Sequence, residues 1–429
     1  MPQLILLLLS LFLLSTPGCS SGRSLAKGVT ADTIAPDELP RIILADSDGY
    51  VMPEVSNAPK DSLTTVITQR LSTLVGDDIF ERTQLGLYVY DLTTDSPVFS
   101  HGEHQQMRPA SCQKIVTAVT ALSELGTDYL YRTRLYVDGD ITDSILHGNV
   151  YLRGGFDPLI GRSDLLALTE ALTSRGVGSI DGRVVFDRTF KDTASLGWGW
   201  CWDDDTTPLT PLLYDKRPGL ERRFLNAIRE AGIACNDSVQ YDTTPHGAEQ
   251  IAERAHTIDQ VLLQMMKQSD NLYAESLFYQ IGAQANYPYA DHRCAVSYVK
   301  KLLDRIGISS NTYQIADGSG LSLYNYLTPH LLVGLLRYAW RDEAIRRHLL
   351  PSLPIAGEDG TLRRRMTSGN ARGNVRAKTG TVEGVSSLAG YCTAANGHTL
   401  CFAIINQGVR KTSTGRNFQD RVCRALTDN

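Results

Sequence analysis

The sequence carries no excess of positive charge, no cysteine array with metal spacing and no apolar run long enough to cross a bilayer as a helix. Each absence removes a class of function. With 42 Lys and Arg against 47 Asp and Glu the formal net charge is −5, so there is no basic footprint for a polyanion and no nucleic-acid partner is expected. The eight cysteines form no CxxC pair and no Cys/His set with zinc spacing. His101 and His104 come nearest to a metal motif, but they lack the i,i+4 spacing that places two imidazoles on one helix face. They read as loop residues, and neither a metal nor a cofactor is expected. No repeat of roughly 20–50 residues is visible. The apolar (42%) and charged (21%) fractions are those of an ordinary globular chain, long enough for two or three lobes.

The longest apolar stretch is at the start. Leu4 to Leu14 is broken only by Ser10, too short for a spanning helix. Followed by Thr16, Pro17 and Gly18, it reads as the apolar region and cleavage site of a secretory signal, although no Lys or Arg precedes Arg23. Cys19, with Ser20, Ser21 and Gly22 after it, resembles the lipidated cysteine of a bacterial lipoprotein, while Thr16 stands where such a signal prefers Leu. Two readings stay open: a lipid anchor at Cys19, or an ordinary cleaved signal that ends near a cysteine. Both imply export to the periplasm or cell envelope. The expected organisation is a signal peptide over 1–18, a Ser/Asp/Pro-rich tether over 19–60, a catalytic domain split between 61–132 and 257–429, and an inserted α/β lobe over 133–256.

The periodicities behind this division run as follows. Val66, Ile67, Leu71, Leu74 and Val75 predict a helix capped near Asp61 and Ser62. Leu85 to Tyr90 alternates, then comes a polar turn at Thr93–Asp95 and a strand near Val98 and Phe99. Pro109-Ala110-Ser111 opens a strong helix through Leu125. Short strands and turns fill Thr133 to Asp187 around one helix near 164–174. A Trp-rich patch (Trp198, Trp200, Trp202) and a helix over 219–231 follow. Helices are expected at 258–268, 272–282, 291–306 and 328–341, strands at 374–380, 386–394 and 399–406, and a last helix over 416–426. An α/β domain split across both ends of the chain, with a β-rich lobe between, is the simplest architecture.

Three short motifs occur in one order: Ser111-Cys112-Gln113-Lys114, Ser269-Asp270-Asn271 and Lys378-Thr379-Gly380-Thr381. Singly, two of them are weak, because Ser24–Lys27 also fits the first pattern and Ser309–Asn311 and Ser368–Asn370 the second. Context removes these decoys, since Ser24 lies in the tether, Ser368 in a glycine-rich loop, and only Ser111 heads a helix with apolar periodicity. The chemistry explains the residue types. A serine hydroxyl is a weak nucleophile that needs a nearby base. Ser111 and Lys114, three apart at a helix start, share a face. Lysine is a useful base only when burial or a neighbouring cation destabilises its ammonium. Lys378 can supply that charge and also attract a substrate carboxylate. The helix N-terminus presents N–H groups where negative charge develops on a carbonyl. Gly380 leaves the strand edge open to an extended peptide, and Ser269 and Asn271 at a helix junction suit a proton relay and a substrate-amide holder.

Together the motifs resemble the signature of penicillin-binding proteins and class A β-lactamases. Arg108–Ser111, Gly154–Pro158, Lys267–Glu275, Asp317–Ser322 and Pro354–Leu362 narrow the likeness to the low-molecular-mass class C penicillin-binding proteins, which are D-alanyl-D-alanine carboxypeptidases and endopeptidases. The resemblance covers about 61–410. It implies an α/β (α+β) transpeptidase-like domain, an antiparallel sheet with helices on both faces. The substrates it implies are peptidoglycan stem peptides ending in D-Ala-D-Ala, with β-lactam antibiotics as acylating inhibitors. By the same resemblance Ser111 is the acylated nucleophile, Lys114 its base and Ser269 the proton relay. Asn271, Lys378, Thr379, Gly380 and Thr381 line the substrate, and the N–H groups of Ser111 and Thr381 form the oxyanion hole. Asp157 resembles an acidic residue that holds an ammonium in the pocket for a diaminopimelate-like side chain; the alternative is a turn residue before Pro158. Three departures stand out. The insertion is shorter after Trp202, Leu323 replaces an Arg of the same pocket, and Cys112 sits beside the nucleophile, where it suits a small apolar space.

A β-lactamase or esterase of the same fold would share acylation, but Glu221–Asn226, the nearest string to a deacylating ExxLN motif, has one residue too many and precedes Ser269. A catalytically idle wall-binding lipoprotein would need neither Lys114 nor Lys378. Finally, Asn396-Gly397 between apolar runs predicts a two-residue hairpin in which Cys392 faces Cys401, close enough for a disulfide in an oxidising compartment; two reduced, buried cysteines are the alternative.

Overall fold

The strand Val385–Thr393 is buried at eight of its nine positions, its two serines included. A strand buried on both faces needs cover on both sides. The computed structural model describes residues 62–204, 206–285 and 289–428 and supplies that cover. The stretches expected to form the signal and the tether, with Cys19, lie outside the described residues. Five antiparallel strands run in the order Arg376–Val382, Val385–Thr393, Thr399–Gln407, Gln84–Asp91 and Ser96–His101. On one face Ala389, Tyr391, Cys401, Ala403 and Ile405 join a core with the helices Gln113–Glu124, Ile258–Lys267, Asn271–Ala283 and Pro329–Arg341. On the other, Leu388, Cys392, Leu400, Phe402 and Ile404 pack with Ser62–Val75 and Thr412–Thr427. The antiparallel sheet with helices on both faces is therefore present.

The helix Gln113–Glu124 sits at the centre, with ten of its twelve residues buried. Such a helix has no solvent face, so its polar residues need partners inside. Gln113 Nε2 donates to Asp317 O at 3.2 Å and Thr117 Oγ1 to Gly318 O at 2.7 Å. Both tie the helix to one loop. It ends at Leu125, and Gly126 follows at φ +87°, the left-handed stop that glycine accepts without strain.

A second sheet is built from strands between Leu130 and Thr257, ordered Gln240–Tyr241, Val184–Asp187, Val150–Arg153, Leu130–Val137 and Glu249–Thr257. It has its own core with the helices Arg162–Thr173 and Leu220–Glu230. Glu249–Thr257 is not expected from the sequence, because a polar, charged segment shows no clean alternation. It is an edge strand, held against Leu130–Val137 by Glu253, which pairs across the ladder with Arg132 and with Arg134 at 2.8 Å. The helix Glu343–Ser352 is equally unannounced; Asp342 caps it by accepting from Ile345 N at 3.0 Å. Val66, expected on the buried face of the first helix, is 38% exposed, while Ile67 and Leu71 are buried.

The hairpin register corrects the expected cysteine pair. Ala394 N donates to His398 O and Gly397 N to Ala394 O, both at 2.9 Å. Gly397 has φ +83°, while Asn396 is not among the residues with positive φ. The loop therefore holds three residues with one left-handed glycine, not two. The added residue shifts the ladder by one, so Cys392 faces Leu400 and Cys401 faces Tyr391. A shift of one moves side chains to opposite faces: Cys401 enters one core and Cys392 the other. Both are free and buried. Alkylation of unreduced, denatured protein is expected to label both cysteines, and a linked 392–401 peptide would contradict this register.

Candidate active site

Ser111 lies in a short 3-10 turn, Ala110–Cys112, that runs directly into the central helix. Ala110 adopts φ +46°, a costly region for a residue with a Cβ. Two glycines hold the turn there. A Cβ at Gly320 would come within 1.9 Å of Ala110 O, and one at Gly380 within 2.8 Å of Pro109 O and 2.9 Å of Ser111 N. The space expected beside Gly380 for a substrate strand is thus filled, on that face, by the nucleophile turn itself.

Lys114 is fully buried. Its Nζ donates to Ser111 Oγ at 3.0 Å, Asn271 Oδ1 at 2.7 Å and Ser319 O at 2.8 Å. Burial is the largest influence on its pKa, which falls to about 8, against the opposing pull of Asp317, Glu275 and Asp270. A lysine near neutrality can exchange a proton with the serine it touches. Lys378 is also fully buried; its Nζ donates to Ser269 Oγ at 2.8 Å and Thr379 O at 2.7 Å. Burial, then the charge of Lys114, holds its pKa well below the ordinary lysine value.

Ser269 sits between the helices Ile258–Lys267 and Asn271–Ala283, as expected, with φ +59°. Asp270 caps the second helix, accepting from Leu272 N at 3.1 Å, and pairs with Lys216 at 3.0 Å. The structure thus brings the five residues together as two hydrogen-bonded sets, Ser111–Lys114–Asn271 and Lys378–Ser269, close enough for the charge of Lys114 to act on Lys378. Thr379, Gly380 and Thr381 lie on the edge strand beside it. Thr379 Oγ1 donates to Thr361 Oγ1 at 2.7 Å, and Arg416 Nη2 donates to Thr381 Oγ1 at 3.3 Å. Ala377 N points off the sheet, to Pro354 O at 3.0 Å. By the two-residue period of a strand, the N–H groups of Thr379 and Thr381 face the same open edge.

Asp157 stands apart. It is 1% exposed, with Oδ2 at 2.6 Å from His256 Nδ1 and Oδ1 accepting from Leu159 N at 2.9 Å. Burial and the bond to Leu159 N two residues on are the geometry of the turn residue, the alternative reading of this position. Cys112 is buried, its Sγ donating to Lys378 O at 3.3 Å, and burial pushes its thiol pKa up; it fills the small space expected of it.

Sequence reasoning missed a second layer. Glu275 accepts from Gly318 N at 3.1 Å and Ser319 N at 2.8 Å, and burial, then the charge of Asp317, raises its pKa to about 8. Asp317, 1% exposed, accepts from Ser322 N at 2.7 Å, Gly320 N at 2.8 Å, Asn325 Nδ2 at 2.7 Å and Trp200 Nε1 at 2.8 Å. These carboxylates hold the loop whose Ser319 O receives Lys114. Both lie in stretches that carry the resemblance, Lys267–Glu275 and Asp317–Ser322, but an Asp before Gly-Ser-Gly reads as a turn and nothing in the spacing assigns either carboxylate to the loop. Among the described residues no group of three or more His, Cys, Asp or Glu could hold a metal ion.

With this geometry the chain matches, over residues 67–213 and 215–428, the model of the D-Ala-D-Ala carboxypeptidase 3 (S13) family. D-alanyl-D-alanine carboxypeptidase DacB of Haemophilus influenzae is 26% identical over 420 residues, 78% of this chain and 87% of that relative. In fold, the chain is similar to the crystal structure of penicillin binding protein 4 (dacB) from the same organism, with a TM-score of 0.74 and 24% identity over 86% of this chain and 98% of that one. The structure of that protein complexed with a β-lactam gives a TM-score of 0.67 at 23% identity, covering 84% and 98%. The protein is a member of the D-Ala-D-Ala carboxypeptidase 3 (S13) family, a family of serine peptidases.

Proposed function

We propose that the protein cleaves peptidoglycan stem peptides after a D-alanyl residue through an acyl-enzyme on Ser111. The observation that carries this is the buried Lys114 Nζ, 3.0 Å from Ser111 Oγ, with a pKa of about 8. In its neutral form Lys114 takes the hydroxyl proton as Oγ attacks the D-alanyl carbonyl. The developing oxyanion is met by the N–H of Ser111, in a first turn that has no acceptor of its own, and by the outward N–H of Thr381. Collapse breaks the C–N bond. The proton reaches the leaving amine through Ser269, which Lys378 holds at 2.8 Å. Water then attacks the ester, with Lys114 again the base, and releases the acid. Asn271, Thr379 and Thr381 align the peptide along the strand edge while Lys378 serves the relay from within, and a β-lactam enters the same acylation step. Carboxypeptidase and endopeptidase action use one acyl-enzyme and differ only in the leaving amine.

Two further readings belong to this proposal. The split catalytic domain, 61–132 with 257–429, and the inserted lobe, 133–256, are supported by two sheets with separate cores. Export, with a lipid anchor at Cys19, is supported by the apolar start and the small residues around Gly18. For the anchor, wild-type protein is expected to fractionate with membranes and Cys19→Ala to become soluble in the periplasm; equal solubility rules it out.

Incubation with penicillin is expected to add one drug mass to the intact protein and none to Ser111→Ala. An adduct that persists in the variant would remove Ser111 from its role. Lys114→Ala should slow acylation by roughly 10²–10⁴-fold.

The base must be neutral, so kcat/KM should rise with pH through about 8, where about a tenth of Lys114 is already neutral at pH 7. Glu275 pulls the lysine pKa upward, hence Glu275→Gln should move the midpoint to lower pH. A midpoint unmoved in that variant would separate Lys114 from the observed titration.

A further inference from the structure

A peptidase that removes a terminal residue must recognise a carboxylate at the end of its substrate. Lys378, the cation of the substrate-lining strand expected to attract it, is buried, with its Nζ turned onto Ser269 Oγ and Thr379 O. Its charge is committed inside the protein. A second cation reaches the same strand from outside. Arg416, exposed in the second turn of the helix Thr412–Thr427, donates from Nη2 to Thr381 Oγ1 at 3.3 Å. Its natural partner on that helix is Asp420, four residues on. Arg365 takes that carboxylate instead, with Nε at 2.9 Å and Nη2 at 2.6 Å, and also donates to the carbonyl of Arg416 at 3.2 Å. Arg416 forms no ion pair among the described residues. A guanidinium is therefore held at the edge of the site with only a hydroxyl for company. That hydroxyl, having accepted from Arg416, keeps its own proton to donate.

We propose that Arg416 and Thr381 form the binding site for the C-terminal carboxylate of the substrate, so that Arg416 separates peptides with a free acid from those with a blocked end. The site rests on the acyl-enzyme reading above, in which the residue released lies along the strand Arg376–Val382. A guanidinium suits this ligand because its planar fork matches a carboxylate in two parallel bonds. The arrangement also divides labour between two cations: Lys378 acts on the proton relay, and Arg416 on the anion in solvent. Arg365 makes this possible by withdrawing the competing Asp420.

The test compares Arg416→Gln and Arg416→Lys with the wild type on two peptides, one ending in D-Ala-D-Ala with a free carboxylate and one ending in the carboxamide. Arg416→Gln should lower kcat/KM on the free acid by roughly ten- to a hundredfold, the size of one charge-assisted hydrogen bond. The loss should fall mainly in KM, and the preference for acid over amide should collapse. Arg416→Lys should recover part of it, since a point charge remains without the fork. Acylation by a penicillin and by its methyl ester, followed by intact mass, should show the same loss of discrimination and needs no peptide turnover. Equal losses on acid and blocked ligands, or an unchanged preference, would overturn the site. Wild-type protein inert to both peptide and penicillin would instead overturn the acyl-enzyme reading on which it rests.

Discussion

Everything in this site depends on one lysine ammonium held out of water. Lys114 is fully buried, and no bulk solvent reaches its charge. A buried cation must find its solvation in the protein or lose its proton. Its three acceptors come from three separate segments: the turn at Ser111, the helix start at Asn271 and the loop at Ser319. Each was placed by a different part of the chain, so the site exists only when all three have packed. The same burial that costs stability creates the chemistry. Burial lowers the pKa to about 8 without abolishing the charge, which leaves a base usable near neutrality.

The loop at Ser319 shows how far that constraint reaches. Two carboxylates hold it, and neither meets a cation in a direct ion pair. Asp317 is satisfied by backbone N–H groups, an amide and the indole of Trp200. Glu275 receives the N–H groups of Gly318 and Ser319. Neutral donors fix their geometry and leave the charge of Asp317, the larger of the two influences, to oppose the effect of burial on Lys114. Trp200 lies in the segment between the strand Val184–Asp187 and the helix Leu220–Glu230, so that segment too takes part in aiming the base. Asp270, paired with Lys216, ties the helix start of Asn271 to the same region of the chain.

Close approach, more than side-chain chemistry, explains the small residues. Gly320 and Gly380 stand where the backbone of the nucleophile turn passes too near for any Cβ. Together they support Ala110 in a left-handed conformation that would otherwise relax. Cys112 belongs to the same packing, a small buried residue between Lys378 O and Ser387 Oγ. The open edge of Arg376–Val382 then presents hydroxyls and N–H groups outward, while Lys378 turns inward.

The sequence by itself carried the family and the five residues Ser111, Lys114, Ser269, Asn271 and Lys378, because nucleophile, base and relay need fixed residue types at fixed helical spacing. It also carried most helices and the strands of the first sheet, whose apolar periodicity is strong. It misread what depends on the count of residues in a loop: one extra residue before His398 sent Cys392 and Cys401 to opposite faces. The polar edge strand Glu249–Thr257 was illegible, since cross-strand ion pairs and not apolar alternation hold it. Asp157 has the composition of a ligand residue and the geometry of a turn residue. Glu275, Asp317 and Arg416 acquire their meaning only from partners brought from distant parts of the chain. Spacing along the chain encodes residues that share one helix; which carboxylate is buried, and which arginine is left unpaired, is decided only when separate elements pack.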